Sequence, residues 1–136
     1  LMVVMSHVAT PSGLRDADPE RPGSGNPNEL HAVEMTVQCE QAMDAMMLQL
    51  EDNDYFLLPG GTQISAQLQF ARAVARRAER RLWTLNREDS VPEDILRFIN
   101  RLSDLFFVMA RMEMQRQGWD EERWQAFAYK RKRKQP

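Results

Sequence analysis

A cluster of arginines lies in the middle of the chain, and its chemistry is that of anion binding. The cluster consists of Arg72, Arg76, Arg77, Arg80 and Arg81, with Glu79 as the only acidic residue among them. A guanidinium group stays charged and presents a rigid fork of donors that fits a phosphate or a carboxylate. So much positive charge on one segment repels itself unless carboxylates or a bound anion offset it. The pattern predicts either a polyphosphate site or a solvated face whose arginines pair with acidic neighbours.

The spacing of these residues separates two faces of a helix. Arg72, Arg76 and Glu79 recur at steps of four and three, which places them on one line beside an apolar stripe. Arg77 and Arg81 point further out on the same helix. The first line is therefore the candidate binding line, although the charge pattern alone does not decide between the polyphosphate site and the solvated face.

A second constellation follows along the chain at helical spacing. Asn100, Asp104, Phe107 and Arg111 recur at steps of four, three and four. They would supply an amide for hydrogen bonds, a carboxylate to orient an arginine, and a ring to stack on a flat ligand. Such a face is also typical of an ordinary surface or interface. The short loop that joins it to the arginine helix favours side-by-side packing of the two helices.

Other common site types are not indicated. The Pro-Gly-Gly sequence at 59–61 lacks the lysine of a Walker motif and predicts a turn. Cys39 is the only cysteine, so the chain can form neither an internal disulfide nor a cysteine-based metal site. His7 and His31 have no ligand partner nearby in sequence. We therefore predict no metal site built from side chains alone.

The 136 residues fit a single domain, with a mobile loop at 10–27 and a solvated basic tail at 130–136. Residues 1–54 hold ten acidic and two basic side chains, and residues 55–136 hold ten acidic and sixteen basic ones, so the C-terminal part is the anion-seeking one. No apolar run reaches membrane-spanning length and no signal peptide is visible. We expect a cytoplasmic protein that binds neither membrane nor nucleic acid.

Apolar periodicity predicts an all-α antiparallel helical bundle with no strand. The first long helix is expected to start with Asn26 as N-cap and Pro27 at its first position and to end near Leu50. Its predicted core stripe is Met35, Cys39, Ala42, Met43, Met46 and Leu50.

Thr62 is the predicted N-cap of the arginine helix. The expected bundle seam of this helix is Ile64, Leu68, Ala71, Ala75, Ala78, Leu82 and Leu85. Phe70 and Val74 project roughly opposite to the seam, which predicts a subunit interface.

A capping box at 90–93 predicts the start of the next helix, and Gly118 predicts its end after about residue 117. Its expected apolar face is Ile95, Ile99, Leu102, Phe106, Met109 and Glu113. Asp120 is expected to cap a short last helix that carries Trp124 and Phe127.

The segments FLLPGG, ARAVARRAERR and RFINRLSDLFFVMAR, in this order over residues 56–111, resemble the PduO-type ATP:cob(I)alamin adenosyltransferases. Residues 9–11 are similar to the end of an earlier helix of that family. The resemblance implies a five-helix all-α bundle that assembles as a homotrimer with active sites between subunits. It also implies transfer of the 5′-deoxyadenosyl group from ATP, with Mg²⁺, to the cobalt of cob(I)alamin, with release of triphosphate.

The resemblance also implies roles at the nucleotide. Arg76 would hold the ATP phosphates, and Glu79 and Arg80 would help to place the nucleotide and its magnesium ion. Asn100 would bind the nucleotide as well.

At the corrinoid, Arg72 would form a salt bridge to an aspartate in the family's N-terminal region and so close the pocket. Phe56 and Phe107 would pack against the corrin, where displacement of the lower axial ligand favours Co(I). Asp104 would support the arginines rather than touch substrate.

The family's N-terminal Gly-Asp-Gly nucleotide loop and the aspartate partner of Arg72 are missing from this sequence. We therefore expect the N-terminal part of the bundle to lie outside this chain. Two alternatives to an enzyme remain: a corrinoid or nucleotide carrier without catalysis, and a helical oligomerisation module with a nucleic-acid-binding tail.

Overall fold

The computed structural model describes residues 1–124 and is all-α over that range. Its helices are α1 (Met2–Ala9), α2 (Ser12–Arg15), α3 (Ala32–Met47), α4 (Gln63–Leu85) and α5 (Glu93–Arg116). Residues 1–124 contain no strand, only one isolated antiparallel bridge between Leu57 and Arg123. The all-α prediction is confirmed. None of the helices in this range combines the length and apolar character needed to cross a bilayer.

Helix α5 is the centre of the fold, because α3 and α4 both pack against it. Ile95 and Ser103 are fully buried, and Leu96, Phe98 and Ile99 are nearly so. The core cluster also includes Val4 of α1, Ala32 and Cys39 of α3, and Val91. Because two helices cover α5, its buried residues spread over a wider arc than a single amphipathic face. The predicted single apolar face is therefore too narrow, and Met109 on that face is 36 % exposed.

Helix α4 begins as predicted. The Thr62 hydroxyl oxygen accepts a hydrogen bond from the Ser65 backbone N–H at 3.1 Å, which satisfies one donor of the first turn. Beside this cap, the Thr62 backbone N–H points at the Met114 sulfur of α5 at 3.5 Å. The start of α4 is thus fixed against the end of α5.

The apolar seam predicted for α4 is only partly buried. The buried residues of the helix are Ser65, Ala75 and Glu79, whereas Ile64 is 46 % exposed. The line that faces α5 is made of small and polar residues, which let the two helices approach closely. Phe70 and Val74 are exposed, as their projection away from the seam predicted.

The predicted N-cap of α3 is wrong. The helix begins at Ala32, with His31 before it and no side-chain cap. The Asn26 side chain instead accepts from the Asn28 backbone N–H at 3.0 Å and donates to the Ser6 hydroxyl at 3.1 Å. Local side-chain hydrogen bonds of this kind compete with helix formation.

The buried line of α3 also differs from the predicted stripe. It consists of Ala32, Thr36, Cys39 and Met43, whereas Met35 and Ala42 of the predicted stripe are exposed. The helix ends at Met47, before Leu50. Burial raises the pKa of the Cys39 thiol above its ordinary value, and the neighbouring Glu40 carboxylate raises it further.

The two ends of α5 differ in how well sequence signals predicted them. No capping box forms, because Pro92 precedes the helix and no side chain caps it. At the other end Gly118 adopts φ +67°, and its backbone N–H donates to the Gln115 carbonyl at 3.0 Å. The Trp119 N–H donates to the Met114 carbonyl at 2.9 Å, which completes a Schellman motif. The end predicted at Gly118 is confirmed.

The short last helix predicted after Asp120 is wrong as far as Trp124. This segment instead runs beside residues 56–58, where Leu58 N–H donates to the Glu122 carbonyl at 2.8 Å. Phe127 and the basic tail at 130–136 lie outside the described residues.

Residues 10–27 contain a single helical turn, α2. The Ser12 backbone N–H donates to both carboxylate oxygens of Asp89 at 3.1 and 3.2 Å. Arg15 donates to the His7 carbonyl at 2.7 Å and to the Ser90 carbonyl. The segment is thereby tied to the α4–α5 connection, and its mobility stays a prediction.

A first prediction concerns the loss of stability at low pH that is caused by protonation of Asp89. Hydrogen bonds from Ser12 hold the pKa of Asp89 below its ordinary value, and Arg15 lowers it further. Stability from a depressed carboxyl pKa is present above the ordinary value and is lost as the pH falls through the folded value. The stability difference between wild type and Asp89→Asn should therefore be full at pH 7 and shrink below about pH 4. Urea unfolding across this range measures it, with the exposed neighbour Glu88→Gln as control; a pH-independent difference would contradict the prediction.

A second prediction concerns the turn before α4. Gly61 has φ +85°, and a Cβ there would collide with the Met114 sulfur and methyl group. Gly118 has φ +67° with open space around a Cβ. Gly118→Ala should cost about 1–2 kcal/mol of unfolding free energy from the backbone alone. Gly61→Ala should cost about 1–3 kcal/mol more from overpacking; equal losses in thermal unfolding would argue against the collision.

Candidate functional site

The predicted binding line of α4 meets α5 at a buried carboxylate. Arg76 Nη1 donates to Glu79 Oε2 at 2.5 Å, and Asn100 Nδ2 donates to Glu79 Oε1 at 2.9 Å. Glu79 is only 8 % exposed, whereas 46 % of the Arg76 side chain is exposed. The structure thus joins three of the residues that sequence analysis selected.

This arrangement fixes a cation at the protein surface. A buried carboxylate is unfavourable unless hydrogen bonds and a counter-charge satisfy it, and Glu79 receives both. The buried Glu79 carboxylate fixes the position of the Arg76 guanidinium by accepting from Nη1. The guanidinium carries further N–H donors, so Arg76 can bind a second anion while it stays paired.

Arg72 lies one turn before Arg76 on α4. Its guanidinium carbon is 5.1 Å from the centre of the Phe107 ring on α5, a cation–π contact. Arg72 is exposed and Phe107 is half-buried. The α4–α5 seam therefore presents a cationic group and an aromatic ring next to the Arg76 line.

The other arginines of α4 lack carboxylate partners within residues 1–124. Of the five, only Arg76 forms an ion pair with a described residue. Glu40 of the acidic N-terminal part pairs with α5 instead, where Arg101 lies 3.0 Å from it. The interpretation of this face as arginines paired with acidic neighbours therefore accounts for Arg76 alone.

The second predicted constellation divides into two parts. Asp104 does orient an arginine, but that arginine is Arg101, at 3.1 Å, and not Arg111. Arg111 forms a bidentate pair with Glu121 at 2.7 and 3.0 Å and donates to the Glu51 carbonyl at 2.8 Å. The Arg111 donors thus hold other parts of the chain, and its expected place in one ligand-facing row stays a prediction.

Neither Arg101 nor Glu121 was selected by sequence analysis. Arg101 lies in the same helix as Asp104 at a spacing of three, a pattern that could have indicated their pair. Glu121 is ten residues from Arg111 across the Gly118 turn, and no sequence periodicity connects them.

A cleft of about 1020 Å³ lies between α3, the turn after it and α5. Asp104, Phe107 and Arg111 of the second constellation line it, together with Arg101 and with acidic residues of α3 and the turn. Phe56 is not among its lining residues and is 72 % exposed in the loop before α4. The chain thus places the two predicted corrin-facing rings on different elements without enclosing them in one cleft.

Two further observations concern cations. The Arg80 side chain is exposed on α4, and within residues 1–124 it forms no ion pair or side-chain hydrogen bond with Arg76, Glu79 or Asn100. Over the same residues, no group of three or more histidine, cysteine, aspartate or glutamate side chains is arranged to hold a metal ion.

A family model described as cobalamin adenosyltransferase matches residues 1–113. The chain belongs to this family. It is 40 % identical over 79 residues to a corrinoid adenosyltransferase of Bacillus subtilis, covering 58 % of this chain and 41 % of that protein. It is also 40 % identical over 86 residues to the human corrinoid adenosyltransferase MMAB, covering 63 % of this chain and 34 % of that protein. The chain thus spans less than half the length of these curated relatives.

The fold is similar to that of a solved family member. A variant of the PduO-type ATP:corrinoid adenosyltransferase from Lactobacillus reuteri, complexed with cobalamin and ATP, superposes with a TM-score of 0.77 at 33 % identity. The match covers 90 % of this chain and 63 % of that one. A second variant of the same protein, also complexed with cobalamin and ATP, matches with a TM-score of 0.78.

A third prediction separates site residues from core residues. Glu79→Met keeps the side-chain volume and removes a buried charge, while water can solvate the half-exposed Arg76 and the partly buried Asn100 amide. The free energy of unfolding should therefore change by no more than about 1 kcal/mol. Ile95→Ala at a fully buried position should cost about 2–5 kcal/mol. Urea unfolding compares the two, and a loss at Glu79→Met as large as at Ile95→Ala would assign Glu79 to the core.

Proposed function

We propose that this protein acts as an ATP:corrinoid adenosyltransferase. It would transfer the 5′-deoxyadenosyl group of ATP to the cobalt of cob(I)alamin and release triphosphate. The observation that carries the proposal is the buried Glu79 carboxylate that holds Arg76 and Asn100 on one side of the α4–α5 seam. Family membership and the complexes of the Lactobacillus reuteri protein with cobalamin and ATP support it.

The reaction requires no covalent bond between the protein and a substrate. Co(I) of the substrate supplies the electron pair that forms the cobalt–carbon bond, and the bond between C5′ and its oxygen breaks with its electrons staying on triphosphate. No serine or cysteine nucleophile is required. The protein must hold two large substrates in line and stabilise the charge that develops on the leaving group.

At the nucleotide end we assign phosphate binding to Arg76, with Asn100 and Arg80 placing the nucleotide. Glu79 engages both oxygens within the protein, so its role is to fix Arg76 and Asn100. The magnesium ion would then be carried chiefly by the ATP phosphates. A fixed guanidinium needs little reorganisation as negative charge grows on the triphosphate.

At the corrinoid end we assign contact with the macrocycle to Phe107 and Phe56. A flat, largely apolar ring suits packing against aromatic side chains. Arg72 lies over Phe107 and one turn before Arg76, so it connects the corrinoid end of the site to the phosphate-binding residues. A carboxylate from outside this chain would form the ion pair that Arg72 lacks within residues 1–124. Asp104 would act through Arg101 as structural support.

Assembly follows from the exposed apolar face of α4. Phe70 and Val74 line an open groove of about 800 Å³ between α1, α4 and α5. Apolar surface of this kind is typical of a subunit interface. We propose a homotrimer located in the cytoplasm, with no membrane or nucleic acid as partner.

The fourth prediction tests the activity. The protein expressed from its complete reading frame, supplied with ATP, Mg²⁺ and chemically reduced cobalamin, should produce the absorption spectrum of adenosylcobalamin. Arg76→Ala should lower kcat about 10²–10³-fold, because a preorganised charge at the leaving group is lost. Arg77→Ala, the adjacent exposed arginine, is the matched control and should change kcat only a few-fold.

Equal losses for the two variants would show that general positive charge, rather than the Glu79-held guanidinium, matters. Cobalamin binding with no turnover in wild type would instead favour a carrier.

A further inference from the structure

Residues 119–124, which we call the strap, run back along the loop that precedes α4. The Leu58 N–H donates to the Glu122 carbonyl at 2.8 Å, and the Trp124 N–H donates to the Phe56 carbonyl at 2.7 Å. The Arg123 guanidinium lies 3.7 Å from the centre of the Tyr55 ring. The backbone on either side of Leu57 is therefore held by the strap.

The strap is in turn held by one arginine of α5. Arg111 Nε and Nη2 donate to the two carboxylate oxygens of Glu121 at 2.7 and 3.0 Å. The Arg111 side chain is 10 % exposed and that of Glu121 is 21 % exposed, so water screens the pair little. A bidentate guanidinium–carboxylate pair is strong and also sets orientation.

Arg111 reaches the same loop from its other end. Its Nη2 also donates to the Glu51 carbonyl at 2.8 Å. One side chain therefore connects the rigid central helix to the start of the loop directly and to its end through the strap. Phe56 lies in the loop between these two attachment points, and the residue is 72 % exposed.

We infer that Arg111 and Glu121 form a clasp that positions Phe56 for the corrinoid without touching either substrate. The role at the corrinoid rests on the proposed function. The clasp acts on one end of the site only, since the Glu79 arrangement that serves the nucleotide lies on α4 and α5 and shares no contact with the strap within residues 1–124.

Hydrogen exchange of the full chain, with no substrate present, tests the clasp. Glu121→Gln removes the charge of the partner, so the Leu58 and Trp124 amides should exchange about tenfold faster or more, while amides in the middle of α5 stay unchanged. Glu122→Gln is the matched control, because Glu122 contributes only its backbone carbonyl to the strap contact. Equal exchange in the two variants would overturn the clasp.

A double-mutant cycle checks that the two side chains act as one unit. Arg111→Lys keeps the charge but loses the bidentate fork. If the pair is the clasp, Arg111→Lys combined with Glu121→Gln should speed exchange no more than the stronger single variant. Additive effects would mean that each residue acts through something else.

Kinetics connect the clasp to the corrinoid. Glu121→Gln should raise KM for cobalamin about tenfold and leave KM for ATP unchanged, whereas simple loss of folded protein would lower the rate without this split. Faster strap exchange with both KM values unchanged would overturn the role at the corrinoid. Absence of turnover in wild type would count against the proposed function, and the exchange rates would still decide whether the clasp holds the loop.

Discussion

The burial of one carboxylate between α4 and α5 constrains the rest of the structure. Glu79 is accommodated there because Arg76 of its own helix and Asn100 of the next helix both donate to its carboxylate. Each partner is fixed by a different backbone, so the arrangement exists in one register of the two helices. A slide of α5 along α4 by one turn would leave Arg76 in place but take the Asn100 amide away from Glu79 Oε1.

Small side chains at the helix contact make this register reachable. Ser65 and Ala75 on α4, and Ser103 and Ala110 on α5, are all buried. Their size lets the backbones approach until the Asn100 amide is 2.9 Å from Glu79. The hydrogen bond at Glu79 therefore depends on the close packing of α4 and α5. Larger residues on this seam would move the Asn100 amide out of hydrogen-bond range. The uneven burial of the predicted apolar seam of α4 has the same origin.

Helical periodicity was enough to predict the helices and to select the Arg76–Glu79 line, because those relations are local. The N-caps predicted at Asn26 and Ser90 were wrong, since both residues are used in tertiary contacts: Asn26 binds Ser6, and the Ser90 carbonyl accepts from Arg15. Thr62 and Gly118 keep their predicted roles, because those roles are set by hydrogen bonds to residues within one turn of the helix end. The partner of Arg111 could not be predicted, because it depends on how the chain folds back after Gly118.

The charge distribution favours one of the two interpretations of the arginine helix. Neutralisation of α4 by the acidic N-terminal half would leave its arginines paired, but within residues 1–124 none of them pairs with a carboxylate of residues 1–54, and Glu40 pairs with Arg101 of α5 instead. Arg76 alone on α4 is paired, and its partner is buried beneath it rather than beside it in solvent. Repulsion among the remaining guanidinium groups is then relieved best by an anion with several charges, bound along the line that Glu79 holds in place. A triphosphate carries several negative charges of this kind.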